Sequence, residues 1–302
     1  MGNKSLKMNI SLTDFYLLHS DKLYGDPLFK KQIIGHQRFL KFDNILSERA
    51  VFDKILIQFL EEAELTLSLI NDLDLTGKDV LEIGGGLGFV YGYLQKAGIN
   101  IYGIEPSDSG FDGYFNAAMQ LFKIIDVDES HFYPFSAKEC IKLNKQFDII
   151  FSNNVLEHIP ELDESFSAMK SVLDPYGLMV HNTVNYLIPY EPHFKMMLFP
   201  FYPKLTVLFK PSLRSSSLWN GLNFITTGKL KRICKIKNLS IEFKKDALYN
   251  TLLRLENDPM FAQRQKYFIP LYRVLKFTGL MKILVKIPIA LTTPITFTIR
   301  RK

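Results

Sequence analysis

The sequence predicts an α/β fold in which a doubly wound, mostly parallel sheet carries helices on both faces. Short apolar runs at 79–83, 99–104 and 147–152 have the length and composition of buried strands. Stretches with helical character or helical spacing, at 89–97 and 162–173, follow the first and third of these runs. Strands that alternate with helices are joined by crossovers, and crossovers produce parallel sheets that are covered on both sides.

The region before the first strand has helical character. Apolar residues recur at helical spacing from 47 to 73, and Ser47 is placed to cap the start of this helix. Residues 1–45 are rich in aromatic side chains but show no clean periodicity. We therefore predict an N-terminal helical segment over residues 1–74.

The C-terminal third contains further elements of a sheet. The residues Asp-Pro-Tyr-Gly at 174–177 predict a turn, and an apolar strand at 178–182 follows it. A helix is predicted over 226–236 and a strand over 239–243. Apolar and polar residues alternate over 295–300, which is the period of a strand.

The composition of the 302 residues is that of a globular protein, with 47% apolar and 23% charged side chains. It excludes a disordered, collagen-like or disulfide-stapled chain. Cys140 and Cys234 fit no metal-ligand spacing, and the cytoplasm is the expected compartment. The apolar stretch 277–299 has no uncharged run longer than 13 residues. A helix that spans a bilayer needs about 20, so no membrane-spanning segment is expected.

A glycine-rich loop joins the first predicted strand to the helix after it. Glycines let the backbone approach a ligand closely, and the start of the following helix supplies free N–H donors. A dinucleotide-binding loop has the pattern G-x-G-x-x-G/A, and Phe89 occupies its third position here. The pattern present is Glu82-x-Gly84-x-Gly86-x-Gly88, which disfavours an NAD-dependent oxidoreductase.

This loop resembles the first motif of class I S-adenosylmethionine-dependent methyltransferases, in which an acidic residue stands two positions before the first glycine. The stretch 147–159, FDIIFSNNVLEHI, resembles the fourth-strand motif of the small-molecule branch of that family. The stretch 173–177, LDPYG, resembles the turn of the same branch, with Tyr176 in place of its first glycine. The resemblance covers roughly residues 75–184.

The resemblance implies a seven-stranded sheet, mostly parallel with an antiparallel last strand, and helical insertions after strands five and six. Residues 75–184 would form the Rossmann-like core that binds S-adenosylmethionine. Residues 185–302 would supply the last helix and strands of the sheet and the substrate-side insertions, at about 185–225 and 245–290.

The resemblance also implies how the cofactor is held. Glu82 would anchor the methionine amino group, directly or through water, although a salt bridge at the end of its strand or at a helix terminus is an alternative role. Glu105, at the end of the next strand, would accept hydrogen bonds from both ribose hydroxyls. Asn153 would line the pocket near the sulfonium. The family often has an Asp that contacts adenine, and the aligned position here is Ser136. The backbone of the loop would lie against the methionine chain at Gly84, Gly85, Gly86 and Gly88, and for Gly85 and Gly88 turn geometry is an alternative explanation.

Candidate catalytic residues lie where the strands end. Methyl transfer from a sulfonium is an in-line displacement, so the protein mainly positions the acceptor, and a base helps when a proton must leave early. His158 follows the fourth strand, and Tyr190, Glu191 and His193 lie in the loop after the fifth. We predict His158, His193 and Tyr190 as candidates, although each histidine could instead have a structural role, as His181 could. No metal site is expected.

Positive charge is concentrated near the C-terminus. Residues 229–302 contain 17 Lys and Arg against 4 Asp and Glu, whereas residues 1–228 contain 20 against 27. Such asymmetry suggests an anionic partner. Basic and apolar residues are mixed over 262–290, which suits either peripheral membrane contact or a lid packed on its own domain. Nucleic acid is disfavoured because the aromatic residues lack the spacing of a stacking platform.

Together these features predict an S-adenosylmethionine-dependent methyltransferase. Its acceptor is expected to be a small molecule, or a lipid- or sugar-linked group that could be anionic, and the methylated atom is expected to be oxygen. The main alternative is a catalytically silent fold of the same kind that binds a membrane or a partner. An NAD-dependent oxidoreductase is the less favoured alternative, because of Phe89.

Overall fold

The computed structural model describes residues 10–35, 46–107 and 113–302, so residues 1–9 and 36–45 of the predicted N-terminal segment lie outside the described residues. The strands are β1 Asp79–Ile83, β2 Asn100–Ile104, β3 Phe132–Tyr133, β4 Phe147–Asn153, β5 Leu173–Thr183, β6 Tyr190–Glu191, β7 Met196–Met197, β8 Leu239–Phe243 and β9 Ile295–Arg301.

The α-helices are α1 Leu12–Leu17, α2 Ser20–Gly25, α3 Pro27–Gly35, α4 Glu48–Ser68, α5 Phe89–Lys96, α6 Tyr114–Ile125, α7 Leu162–Val172, α8 Ser217–Gly221, α9 Thr227–Ile236, α10 Ala247–Asn257, α11 Pro259–Arg264 and α12 Ile269–Phe277. Short 3-10 helices lie at Ala137–Leu143, Leu156–His158, Pro203–Leu208, Pro211–Ser215, Lys266–Phe268, Leu280–Lys286 and Ile289–Leu291.

Within the described residues, seven strands form one sheet in the order β3-β2-β1-β4-β5-β9-β8. Strand β1 pairs in parallel with β2 and with β4, β2 pairs in parallel with β3, and β8 pairs antiparallel with β9. This arrangement confirms the predicted mostly parallel sheet with an antiparallel last strand. In the register of β1 and β2, Ile83 lies beside Ile104. The loop after β1 and the acid after β2 therefore emerge at the same edge of the sheet.

The turn predicted at 174–177 is wrong, because these residues lie within strand β5. The backbone N–H of Tyr176 donates to the carboxylate of Asp174 at 2.8 Å, so the aspartate does make a local turn-like bond. A Cβ on Gly177 would lie 3.0 Å from the carbonyl oxygens of Phe147 and Asp148. The glycine thus permits the close backbone approach that extends β5 alongside the start of β4.

The described chain divides into two compact units, one made of residues up to Asn153 with 164–179, the other of 154–163 with 180–302. In the first unit, α1 packs on α5. The buried Tyr16 hydroxyl donates to the Phe89 carbonyl at 2.7 Å, and the two rings meet edge to face at 4.8 Å. The Tyr93 hydroxyl donates to the Ile10 carbonyl at 2.8 Å. The N-terminal helices therefore cover the helix that follows the glycine loop.

In the second unit, the buried Asn185 ties three segments together. Its side-chain amide donates to the carbonyls of Ala290 and Thr292 at 3.0 and 2.9 Å, and its side-chain oxygen accepts from the backbone N–H of Leu187 and of Thr227. These bonds hold the loop after β5 against the approach to β9 and the start of α9. They fix the start of the segment that carries the candidate catalytic residues.

Candidate active site

The loop after β1 adopts a conformation that requires its glycines. Gly84, Gly86 and Gly88 have φ angles of +71°, +55° and +78°, a left-handed conformation that side chains disfavour. The N–H groups of Gly84 and Gly85 donate to the Ile104 carbonyl at 2.8 and 3.0 Å, which fastens the loop to the end of β2. A Cβ on Gly86 would have no described atom within 4 Å, so open space lies beside the loop.

Two of the loop glycines also have a packing reason. A Cβ on Gly85 would lie 2.7 Å from the ring of Phe132 in β3, and one on Gly88 would lie 2.5 Å from the ring of Phe122 in α6. Both distances are too short for real atoms, so larger residues would displace these aromatic rings. The prediction that Gly85 and Gly88 bind the cofactor stays a prediction, and packing alone accounts for glycine at both positions.

Two buried carboxylates stand beside this loop. Glu82 in β1 is 3% exposed and Glu105 after β2 is 5% exposed. The N–H of Gly86 donates to Glu105 Oε2 at 2.8 Å, whereas Glu82 Oε2 has no hydrogen-bond partner among the described residues. Burying a carboxylate oxygen without a hydrogen-bond donor costs free energy, and a bound ligand that donates a hydrogen bond would remove this cost.

Burial perturbs the pKa of both acids. It raises the pKa of Glu105 to about 7, although the hydrogen bond from Gly86 acts in the opposite direction. Burial, followed by repulsion from Glu105, raises the pKa of Glu82 well above its usual range. An ammonium group beside Glu82 and hydroxyl donors on Glu105 would relieve both effects. The methionine amino group and the ribose of S-adenosylmethionine carry these groups, so the residues present fit this cofactor.

The perturbed pKa of Glu105 predicts a pH-dependent affinity for the product S-adenosylhomocysteine. Only the ionised carboxylate of Glu105 can accept hydrogen bonds from both ribose hydroxyls. Binding of S-adenosylhomocysteine should therefore favour ionisation of Glu105 and release a proton. The affinity should therefore rise as the pH increases from about 5.5 to 7 and level off above it. Dissociation constants measured across this range test the prediction, and Glu105→Gln should flatten the profile. An affinity that falls with rising pH would contradict it.

Two other predicted cofactor residues are engaged with neighbouring protein groups. The Ser136 hydroxyl donates to Glu139 Oε2 at 2.7 Å, and its backbone N–H donates to the same oxygen at 2.9 Å. The Asn153 amide, at the end of β4, donates to the Thr66 hydroxyl in α4 at 3.0 Å. Their roles in cofactor binding stay predictions, and a contact from Ser136 to adenine through its hydroxyl would compete with Glu139.

In the second unit, the hairpin β6–β7 places a histidine on a buried carboxylate. The side chain of Glu191 is fully buried, and its Oε1 lies 2.6 Å from His193 Nδ1. Glu191 also accepts from the Tyr186 hydroxyl at 3.2 Å and from the Phe194 N–H at 2.6 Å. A carboxylate can only accept, so Nδ1 of His193 carries the proton and Glu191 fixes the tautomer and orientation of the imidazole.

His158 lies against this pair. Its ring meets the His193 ring edge to face, with centroids 5.1 Å apart. Burial lowers the pKa of His158 to about 3, so its imidazole is neutral at physiological pH and is a weak base there. His193 is 32% exposed at its side chain, which makes it the better placed of the two to take a proton. His181 is buried in β5 against Phe297, with ring centroids 5.6 Å apart.

A second buried carboxyl group lies close by. Glu157 accepts from the Thr183 hydroxyl at 2.7 Å, and its other oxygen has no hydrogen-bond partner in the described part of the chain. Burial raises its pKa, an effect that hydrogen bonds from its own backbone N–H and from the Thr183 hydroxyl partly offset. The Asn223 amide donates to the carbonyls of Leu156 and Ile159 at 2.6 and 2.9 Å, which fixes the loop that carries Glu157.

Aromatic side chains surround the pair. The Tyr190 ring meets that of Phe268 edge to face at 6.1 Å, and burial, together with Glu191, raises the Tyr190 pKa, so this hydroxyl stays protonated. Trp219 is buried and its ring lies 6.0 Å from that of Phe194 and 5.2 Å from that of Phe224. Because it stays protonated, the Tyr190 hydroxyl is better suited to donate a hydrogen bond than to act as a base.

The sequence indicated Glu191 and His193 but not the partners that position them. Tyr186 and Thr183 carry no motif, and their role becomes visible only when burial is known. Across the residues that the structure describes, no group of three or more His, Cys, Asp or Glu side chains is arranged to hold a metal ion. In the same residues, no helix is long and apolar enough to cross a membrane.

Comparison with known proteins assigns the chain to a family. The family model described as a methyltransferase domain matches residues 53–240, which include β1, the glycine loop and strands β4 and β5. An uncharacterized protein of Mycobacterium tuberculosis is 32% identical over 198 residues, which cover 63% of this chain and 67% of that protein.

Two further relatives have named activities. A tRNA U34 carboxymethyltransferase of Idiomarina loihiensis is 31% identical over 154 residues, covering 48% of this chain and 45% of its own. A ubiquinone biosynthesis O-methyltransferase of Bradyrhizobium diazoefficiens is 32% identical over 114 residues, covering 37% and 42%. This chain therefore matches less than half the length of either relative.

Proposed function

Because the chain belongs to the methyltransferase-domain family, we propose that it transfers a methyl group from S-adenosylmethionine to a hydroxyl oxygen of a small-molecule, lipid-linked or sugar-linked acceptor. The observation that carries this proposal is the His193–Glu191 pair, in which a buried carboxylate fixes an imidazole at 2.6 Å. His193 is the general base, and Glu191 and Tyr186 position it.

Glu82 and Glu105 hold the cofactor in this proposal. The cofactor supplies a methyl group that is already activated by its sulfonium. Glu82 binds the amino group and Glu105 binds the ribose, so each buried oxygen gains a partner of suitable charge or polarity. The glycine loop lets the backbone run close to the methionine chain, because three of its residues adopt φ angles that exclude side chains.

The proposed base, His193, is the reason to expect that the methylated atom is oxygen. A hydroxyl is a weak nucleophile and becomes reactive as its proton leaves. A neutral amine is already nucleophilic through its nitrogen lone pair and needs no base to remove a proton first. An imidazole whose Nδ1–H is held by a carboxylate accepts a proton at Nε2, as in hydrolases that activate a serine hydroxyl. The partial similarity to an O-methyltransferase of ubiquinone biosynthesis supports the same choice.

The test is transfer of an isotope-labelled methyl group from S-adenosylmethionine to phenolic and sugar hydroxyls, offered free and attached to a lipid. We expect a methyl ether, which the chemical shift of the labelled carbon identifies. Label on nitrogen or carbon, or on a transfer RNA offered in parallel, would contradict the proposal. A chain that binds S-adenosylhomocysteine but labels no acceptor would support the catalytically silent alternative.

A further inference from the structure

We propose that the second unit binds the surface of an anionic lipid bilayer through two exposed segments, 196–209 and 267–291, together called the interfacial surface. Both segments present large apolar side chains to solvent and lack acidic residues. Segment 267–291 contains four basic residues, and segment 196–209 contains Lys204. This proposal goes beyond methyl transfer, because it concerns where the protein is located when it acts.

Helix α12 supplies the clearest part of this surface. Leu271, Val274 and Phe277 are 52%, 58% and 93% exposed. Residues three apart lie on one side of a helix, so these three form an apolar stripe that faces solvent. The opposite side of the helix packs inward, where Tyr272 joins a buried cluster with Met281. Helix α12 is therefore apolar on two sides, of which its own unit covers only one.

The stripe continues beyond the helix among basic residues. Leu280 and Ile283 are exposed apolar side chains, and Lys282 and Lys286 beside them are exposed as well. From residue 259 to 302 the sequence contains nine Lys and Arg and neither Asp nor Glu. Exposed apolar groups with basic neighbours match a bilayer interface, where the apolar groups enter the acyl boundary and the cations meet anionic headgroups.

The segment 196–209 has the same character. Met197, Phe201, Tyr202, Leu208 and Phe209 are all more than 60% exposed. From residue 192 to 241 the sequence again contains nine Lys and Arg and no acidic residue. Monomeric proteins seldom leave so many large apolar side chains in water without a binding partner.

The two segments are neighbours within the second unit. The ring of Phe268, at the start of the α12 segment, lies 6.1 Å from the ring of Tyr190 in β6. Tyr190 in turn pairs with Met197 in β7, at the start of the other segment. The hairpin β6–β7 therefore brings the two parts of the interfacial surface together, although they are about seventy residues apart in sequence.

The chemistry of the surface favours a bilayer over other occupants. A second copy of this chain would place the same positive charges, among them Lys282 and Lys286, opposite one another in a symmetric interface. A nucleic acid would meet the cations but would leave aliphatic side chains such as Leu271, Val274 and Ile283 without apolar partners. An anionic bilayer satisfies both the charges and the apolar groups.

The same hairpin carries His193 between its strands. If the proposed function holds, a lipid-linked acceptor in the bilayer would reach the His193–Glu191 pair directly from the interfacial surface. This consequence rests on the proposed function, whereas binding to vesicles does not, so the following experiment measures binding without any methyl transfer.

The test is co-sedimentation of the full chain with vesicles of phosphatidylcholine alone and of phosphatidylcholine mixed equally with phosphatidylglycerol. We expect binding to the mixed vesicles that weakens with added salt, and much weaker binding to the neutral ones. Equal binding to both kinds of vesicle, or binding that is indifferent to salt, would overturn the proposal. So would preferential binding of transfer RNA, or dimerisation without vesicle binding.

Two sets of variants assign the binding to this surface. Replacing Leu271, Val274 and Phe277 together by serine should abolish sedimentation with mixed vesicles, while Leu18→Ser, an exposed leucine at the end of α1 in the first unit, should leave it unchanged. All these side chains are exposed, so thermal unfolding should not shift. Unchanged vesicle binding by the triple variant would overturn the proposal.

The second set removes charge. Arg273→Gln, Lys282→Gln and Lys286→Gln should each weaken binding about fivefold, because a basic residue near an anionic surface contributes on the order of 1 kcal/mol. The matched control is Lys123→Gln, an exposed lysine of α6 in the first unit. Equal loss of binding in the control and in the three variants would overturn the assignment to this surface.

Discussion

Replacing Glu105 by alanine is expected to weaken the binding of S-adenosylhomocysteine by about a hundredfold or more. The carboxylate is 5% exposed and holds the Gly86 N–H at 2.8 Å, so it is fixed beside the glycine loop. Two ribose hydroxyls would donate to it, and a hydrogen bond to a charged group typically contributes about 1.5–3 kcal/mol. Isothermal titration calorimetry measures the loss.

Two further variants show whether the effect belongs to the site. Glu105→Gln keeps the shape and one acceptor oxygen, so its affinity should lie between those of the wild type and Glu105→Ala. Glu129→Ala removes an exposed acid of the same unit and should bind like the wild type. A folded Glu105→Ala protein with unchanged affinity would show that the cofactor is not held as described.

The second large effect is expected for Glu191→Gln, which should lower kcat by about a hundredfold or more while the affinity for S-adenosylhomocysteine stays unchanged. The Phe194 N–H donates to Glu191 Oε2, so the oxygen of a glutamine would face Phe194 and its amide would face His193. The amide would then donate to Nδ1 of His193. The imidazole would carry its proton on Nε2, where it could not accept one from a hydroxyl.

His193→Gln should produce a loss of similar size, and the double variant should lose little more, since the two residues act as a unit. His131→Gln is the matched control, because that ring stacks on Tyr102 in the first unit at 4.1 Å and has no part in the proposal. Full activity in Glu191→Gln, with an unchanged pH profile, would exclude His193 as the base.

Much of the sheet could be predicted from the sequence because most of its strands are largely buried and several are bounded by strong signals. Strand β1 ends in a glycine loop, and β8 and β9 have the predicted start at Leu239 and Ile295. Ser47 caps α4 as predicted, its hydroxyl accepting from the Ala50 N–H. Local propensity and tertiary packing agree in these elements, which is the condition under which sequence patterns are reliable.

Other elements are absent from the sequence prediction, most of them because their signals are weak. Helices α1 to α3 are only six to nine residues long and follow the surface of α4 and α5, so each shows too few turns for a clear period. Strand β3 has two residues, fewer than an alternating pattern needs. Helix α6 does have apolar residues at helical spacing, including Ala117, Leu121 and Ile125, so this signal was present in the sequence.

The residues of the candidate site also divide into those that the sequence predicts and those that it does not. The glycines and the acids Glu82 and Glu105 follow from motif spacing, because the backbone chemistry of the loop dictates residue types at fixed intervals. The burial of Glu191 does not follow, because a glutamate between Tyr190 and Pro192 in a loop looks like a solvated residue. Only the hairpin and the contacts of Tyr186 and Phe194 show that it is enclosed.

We propose above all that Glu82, Glu105 and the glycine loop form a site for S-adenosylmethionine. Calorimetric titration of the wild-type chain with S-adenosylhomocysteine, and separately with NAD, tests it most directly. We predict saturable binding of one S-adenosylhomocysteine per chain, with proton release near neutral pH as Glu105 ionises, and no binding of NAD. Saturable binding of NAD, or no binding of S-adenosylhomocysteine by the folded chain, would contradict the account.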